Sequence, residues 1–264
     1  MNKVILLIPY FNNPKGLYTS LKSINKEEEL DILIVDDGST IKFDEVICKS
    51  SFLAKGDVYF NSLEVNKGIE HALNLGLKTI LNKEYKYIAR LDCGDICARD
   101  RFLKQVSFLE RNSDISLIGS NVNFMNSKGE FLYKLITPSK DKVIRKKMYI
   151  NAMHIHPSIM FRSEILNEIG LYPTKYKAAE DYAFFFNIIK KFKVANINEE
   201  LVTCELSSSG ISTVLRKIQA KNRIQIILDN FYFGFYPVYG LLRSILLYIL
   251  PLNLLIKLKT IFKR

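Results

Sequence analysis

The chain has 264 residues, 48% hydrophobic and 25% charged, and its 38 Lys and Arg against 27 Asp and Glu leave a net charge of +11. That composition fits one large α/β domain, or a domain of about 200 residues with an appendage, and excludes intrinsic disorder, collagen and coiled coil. Residues 210–264 carry +8 of the +11, with nine Lys or Arg against the single acid Asp229, so the charge belongs to the tail rather than the body.

The elements follow in chain order. The opening MNKVILLIPYFNN is shorter than a signal-peptide core and lacks a small-residue cleavage site, so it reads as a first strand. Lys3 to Pro9 and Leu30 to Asp36 are continuous Ile, Leu and Val runs, as parallel strands covered on both faces require. Between them Leu17, Leu21 and Ile24 recur at helical spacing, giving β-α-β with both strand ends on the ligand-binding edge. A strand at Asp57 to Phe60, a helix over Ile69 to Leu81 and a strand at Tyr85 to Leu91 continue the alternation.

A helix from about Asp100 to Arg111 and a strand at Ile115 to Ile118 come next, and then the alternation stops. Asn121 to Tyr133 reads as a hairpin turning at Lys128-Gly129. Helices are expected at Asp141 to Tyr149, Ser163 to Ile169 and Asp181 to Phe192, and strands at Val194 to Ile197 and Leu201 to Leu206. Residues 1–209 thus form one domain in two halves, about 1–118 and 119–209, and 210–264 form a basic, hydrophobic helical extension. The longest uncharged run there, Ser244 to Ile256, is 13 residues, against the roughly 20 that span a bilayer. Aromatics at the start of the whole segment from about Asn230 and cations at its end suit a segment lying on a membrane surface, or else a helix pair packing on the domain.

Four scattered cysteines, Cys48, Cys93, Cys97 and Cys204, make neither a disulfide framework nor a CxxC metal ribbon and point to a reducing compartment. There is no GxGxxG after the first strand, and no GxxxxGK[ST], GxSxG or HExxH. Dinucleotide oxidoreduction, P-loop phosphoryl transfer, serine hydrolysis and zinc proteolysis therefore lack local support.

Three acidic clusters remain. Arg90-Leu91-Asp92-Cys93-Gly94-Asp95 sets two carboxylates after an apolar strand, either as hard oxygen ligands for Mg²⁺ or Mn²⁺ on phosphates or as a turn and helix cap. Val35-Asp36-Asp37-Gly38-Ser39-Thr40 ends the second strand, where a carboxylate can accept from a nucleobase N–H or ribose hydroxyl. Ala179-Glu180-Asp181-Tyr182 opens a helix, as a solvated cap pair or with one carboxylate held as general base. Lys67 and Arg90 are suited to phosphate charge. His154 and His156 would share a face on a strand, but His71 lies in a predicted helix and no third histidine completes a metal site.

In this order the motifs resemble family 2 glycosyltransferases of the GT-A fold. The match runs through Ile8-Pro9-Tyr10-Phe11-Asn12, Asp36-Asp37-Gly38-Ser39, Asn66-Lys67-Gly68-Ile69, Arg90-Leu91-Asp92-Cys93-Gly94-Asp95, His156-Pro157-Ser158 and Glu180-Asp181-Tyr182. The resemblance implies an α/β fold with a mostly parallel central sheet flanked by helices. It implies transfer of a sugar from a nucleotide donor, usually UDP-linked, to an acceptor hydroxyl with inversion. It makes Asp37 the base-binding acid, with Pro9, Tyr10, Lys67, Arg90 and Asp92 around the nucleotide. Asp92 and Asp95 become ligands of a divalent metal, Mn²⁺ or Mg²⁺. Asp181, beside Glu180, becomes the catalytic base, and His156 falls on the acceptor side. Gly94 stands where the family has a third acid, which implies a weaker metal site.

The expected partners are a nucleotide-sugar donor, a saccharide or lipid-linked saccharide acceptor of a bacterial surface glycan such as lipopolysaccharide or capsule, and an anionic membrane surface met by the tail. The expected location is cytoplasmic, on the inner face of the cell membrane. Two other readings are a sugar-phosphate nucleotidyltransferase and a non-catalytic module whose tail binds membrane or nucleic acid. The first would carry a glycine-rich basic loop where residues 9–16 hold one Lys and one Gly. Apolar stretches between the tail's cations favour lipid over nucleic acid.

Overall fold

Strands β1 (Val4–Tyr10) and β2 (Asp31–Asp36) are buried along their whole length, as uninterrupted aliphatic runs demand. This computed structural model describes residues 3–206 and 214–250. Alternate residues of the two strands feed separate cores. Ile5, Leu7, Leu33 and Val35 pack under α3 (Ile69–Leu81), and Leu6, Ile8, Ile32 and Ile34 join Leu17 and Leu21 of α1 (Pro14–Lys22) on the other face. Pro14 opens α1 and the Asn13 side chain accepts from Gly16 N–H, so the chain turns sharply after β1.

Strand β3 (Val58–Ser62) lies parallel to β2, and β4 (Tyr87–Arg90) parallel to β1. This half is parallel as expected. Helix α2 (Glu45–Ser51), between β2 and β3, was not anticipated. Beyond β4 the sheet is mixed. The two-residue β5 (Ile96–Cys97) and α4 (Arg101–Arg111) precede β6 (Ile115–Met125), which makes a hairpin with β7 (Phe131–Leu135). Strand β8 (Met160–Arg162) is antiparallel to both β4 and β6, and β9 (Lys193–Glu205) runs parallel to β6. The order across the sheet is β3-β2-β1-β4-β8-β6-β9-β5.

Several expectations are corrected. The strand at 115–118 continues to Met125, and 194–197 and 201–206 are one strand. Ser163–Ile169 is a 3₁₀ turn followed by the single-turn α6 (Leu166–Ile169). Residues 154–158 are not a strand: His156-Pro157-Ser158 is a 3₁₀ turn. Helices α5 (Asp141–Lys147) and α7 (Glu180–Lys191) fall where expected.

Helices α8 (Arg216–Asp229) and α9 (Phe235–Ile249) pack on the body. Gln219 Nε2 donates to Ala178 O at 2.9 Å, Asn222 Nδ2 to Lys177 O at 2.8 Å, and Arg243 Nη1 to Ile150 O at 2.9 Å. Small residues of α9, Pro237, Gly240 and Ser244, face the body, and Gly240 lies directly against the backbone of Tyr149. Among the described residues no helix is long and apolar enough to cross a membrane. The cations Lys257, Lys259, Lys263 and Arg264 lie outside the described residues.

Candidate active site

The carboxyl ends of β1, β2 and β4 form one edge. Tyr10 pairs with Asp36, and the Asp37 N–H donates to Tyr10 O at 2.9 Å, so Pro9, Tyr10 and the two acids are fixed together. Tyr10 is buried, and its hydroxyl donates to Ile41 O. Asp37 is also buried and its carboxylate is already engaged: it accepts from Lys67 N (3.0 Å), Gly68 N (3.1 Å) and Asn66 Nδ2 (3.1 Å). Burial raises its pKa, and the Lys67 and Gly68 N–H groups oppose that rise. Asp37 thus fastens the Asn66-Lys67-Gly68 loop over the strand ends, with the Lys67 side chain exposed at its tip.

Asp92 is set by a buried chain of polar groups. The Arg90 guanidinium, inaccessible to solvent, donates to Asp92 Oδ1 at 2.6 Å, to Leu7 O at 2.7 Å and to Leu91 O at 3.1 Å. Arg90 Nε also points at His156 Nε2 (3.4 Å), which lies 2.9 Å from the Tyr172 hydroxyl. Burial, and then the charge of Arg90, hold the His156 pKa well below the usual imidazole range. Because the Arg90 N–H can only donate, a neutral ring accepts at Nε2 and carries its proton on Nδ1. Arg90 and His156 were expected to touch nucleotide and acceptor; both side chains are buried, Arg90 against Asp92 and His156 against Arg90 and Tyr172.

Asp95, unlike Asp92, is buried. Its Oδ1 accepts from Glu205 N at 2.9 Å, and burial followed by the Asp92 charge pushes its pKa up to about 8. Ser20 of α1, fully buried, ties this turn: it accepts from Gly94 N at 2.9 Å and donates to Asp95 O at 2.8 Å. Gly94 has φ +107°, and a Cβ there would stand 3.3 Å from Glu205 Oε2. Of the two acids expected to bind a metal, only Asp92 is appreciably exposed, with 38% of its side chain accessible. Among the described residues no three His, Cys, Asp or Glu converge as a metal cage. One carboxylate is nevertheless a sufficient protein donor for Mg²⁺ or Mn²⁺ when phosphates and water complete the sphere.

Glu180 and Asp181 lie at the crevice close enough to Asp92 for its charge to act on both. Burial and then the Asp181 charge push the Glu180 pKa up to about 8, with Glu70 and Asp92 adding to the rise. Glu180 Oε2 is buried with no hydrogen-bond partner among the described residues. Asp181 is partly exposed and accepts from Tyr182 N at 2.7 Å. Burial raises its pKa, against the Tyr182 N–H and the positive charge of Arg223. Glu180 holds its proton at neutral pH, so the partly exposed acids that suit a cation arriving with a diphosphate are Asp92 and Asp181.

Ser20, Glu70, Tyr172 and Arg223 were not singled out from sequence. Ser20 had a readable signal, a small polar residue at the helical spacing of Leu17, Leu21 and Ile24. Arg223 had none, since α8 reaches Asp181 only through tertiary packing. His154 is buried apart from the crevice, with Nδ1 2.8 Å from Asn196 Oδ1.

The profile described as glycosyl transferase family 2 matches residues 5–170. An uncharacterized glycosyltransferase of Methanocaldococcus jannaschii is 31% identical over 210 residues, covering 75% of this chain and 69% of that protein. Another, from Rickettsia conorii, is 28% identical over 217 residues and covers 81% of this chain; the chain spans only 34% of that protein's length. Among solved structures, S. aureus TarS 1-349 in complex with UDP-GlcNAc superposes with a TM-score of 0.65 at 16% identity, covering 90% of this chain and 69% of that one. That likeness shows a shared fold.

Proposed function

The chain belongs to glycosyl transferase family 2, and from that membership we propose that it transfers a sugar, hexosyl or N-acetylhexosaminyl, from a UDP-linked donor to a saccharide hydroxyl with inversion. The observation that carries this reading is that Asp92, just past the carboxyl end of β4, lies close enough to Glu180 and Asp181 at the start of α7 for its charge to act on both. The UDP-GlcNAc complex of TarS supports the choice of donor.

The residues divide the work. Asp37 holds the Asn66-Lys67-Gly68 loop as one wall of the nucleotide pocket, with Pro9 and Tyr10 at its floor. Asp92, aimed by Arg90, is the residue that would hold a divalent ion, with Asp95 bracing the turn behind it. Such an ion, bound with the donor, stabilises the charge that grows on the departing diphosphate. Asp181 takes the acceptor proton as the acceptor oxygen bonds to the anomeric carbon. The bond from that carbon to the diphosphate breaks on the opposite face, and UDP leaves with the electron pair. A carboxylate with a raised pKa is a stronger base than one in water, which suits Asp181 to the step.

The acceptor in this proposal is a saccharide or lipid-linked saccharide of a bacterial surface glycan. Residues 1–209 are the catalytic domain, and 210–264 hold it at the inner face of the cell membrane. Calorimetric titration with UDP, GDP and CMP, each with Mn²⁺ and with EDTA, tests the reading. Binding of UDP that needs the metal is expected, and no binding of any nucleotide overturns it. Asp181→Asn should abolish transfer and leave UDP binding intact; comparable turnover would move the base role elsewhere.

A further inference from the structure

A pocket of about 340 Å³ opens between α5, α7 and the connection from α8 to α9. Tyr149, Phe186 and Tyr232 wall it, with the Tyr149 ring edge-on to both others at centroid distances of 5.1 and 5.4 Å. Its rim carries Arg145, Lys146 and Lys190. Arg145 is committed to Asp141 and to Phe192 O, while both lysines are exposed. Asn230 also lines it: its Nδ2 donates to Ile226 O and its backbone carbonyl accepts from Tyr149, but its Oδ1 is buried without a hydrogen-bond partner among the described residues. Aromatic walls, a cationic rim and an unused acceptor describe a receptor for an anionic, hydroxyl-bearing group at the edge of an apolar phase.

The surface beside the pocket supplies that phase. Tyr232 begins an exposed aromatic run in which Phe233 is 95% and Phe235 72% accessible. Helix α9 then reverses the usual order of a packed helix. Phe235, Val238, Tyr239, Leu242, Leu246 and Ile249 all face outward, and the small residues face the body. An outward stripe of this size, next to cations, matches a bilayer interface with anionic headgroups.

We propose that this pocket takes the phosphate headgroup of an anionic glycerophospholipid while the α9 stripe lies in the bilayer interface. The proposal rests on the membrane location given above and deepens it, because it assigns a site on the catalytic body rather than only on the basic tail. Ile189 in the pocket wall is eight residues along α7 from Asp181, about 12 Å at helical rise. A headgroup bound there would place the crevice just above the lipid surface, within reach of a membrane-borne acceptor.

Flotation of the full chain on vesicles of phosphatidylcholine alone, and of an equimolar mixture with phosphatidylglycerol, tests it, with a UDP titration on every protein. The wild type should float with the mixed vesicles and not with phosphatidylcholine. Lys146→Glu combined with Lys190→Glu should lower partitioning at least about tenfold, as should Phe233→Ser with Phe235→Ser, and all should bind UDP like the wild type. Both lysines lie outside residues 210–264, so wild-type partitioning of their variant would give the binding to the tail and overturn the pocket. A chain that ignores anionic vesicles overturns it, as does one that dimerises through the stripe in light scattering. Loss of UDP binding by the wild type, with flotation intact, strikes the transferase reading alone.

Discussion

Arg90 Nη2 lies 2.6 Å from Asp92 Oδ1, and solvent reaches the carboxylate but not the guanidinium. A charge sealed in the core thus aims an acid at the crevice, and the same guanidinium satisfies the carbonyls of Leu7 in the middle of β1 and Leu91 just past β4. Lysine offers one point charge where three acceptors await a planar fork. Arg90→Lys should cost about 1–3 kcal/mol in urea unfolding and weaken metal-dependent UDP binding about tenfold. Unchanged affinity by calorimetry would show that Asp92 needs no such aiming.

Glu180 gives the crevice a pH signature. Its folded pKa, pushed up to about 8, lies above the ordinary value of 4.5, so the native state holds a proton that the unfolded chain releases. Stability from this group is complete below about pH 4.5 and falls as pH rises toward 8, by at most about 1.4 kcal/mol per pH unit. Glu180→Gln removes the titration. Its melting temperature should approach that of the wild type at pH 5 and exceed it at pH 8; parallel profiles would mean that Glu180 is ionised throughout.

Removing the Asp37 carboxylate leaves the N–H groups of Lys67 and Gly68 without their acceptor. Asp37→Ala should cost about 2 kcal/mol, release those two amides to rapid hydrogen exchange and lower UDP affinity more than tenfold. Protection that persists at both amides would show the loop held by other contacts.

Gly94 stands where a third acid would, yet at φ +107° and facing Glu205 it is no vacancy waiting to be filled. Gly94→Asp should cost about 1–3 kcal/mol through its backbone alone. Mn²⁺-dependent UDP binding should not tighten. A gain in metal affinity would restore the family's pattern of three acids as the better description.

The parallel half of the fold was legible because its strands are pure aliphatic runs, and α3 was legible to the residue. Strand β6 read short because Ser120 and Asn121 interrupt the apolar pattern, and β9 read as two because the polar Asn198, Glu199 and Glu200 part its apolar stretches. Ser120 and Asn121 are buried and bonded through their side chains, Ser120 donating to Asn121 O and Asn121 accepting from Thr137 N. Hydropathy records their cost of burial and not the partners that offset it. Helix α2 escaped for the opposite reason, exposing Val46 and Ile47, although its Asp44 cap was there to be read. In the site, local motifs located Asp37, Asp92 and Asp181. They could not show that Asp37 is engaged by its own loop, that Asp95 faces inward, or that His156 stands behind Arg90, since each depends on residues from 30 to 110 positions away.

Gly240 brings the backbone of α9 against Tyr149, where a Cβ would stand 2.1 Å from the carbonyl oxygen. Backbones this close leave no side chain between them whose exchange could re-aim the helix. The attitude of the outward stripe toward the crevice is therefore set at this contact together with the bond from Arg243 to Ile150 O. A single methyl group at position 240 would act as a wedge under α9, and the working height of the crevice above whatever the stripe rests on would become a quantity that one codon can change.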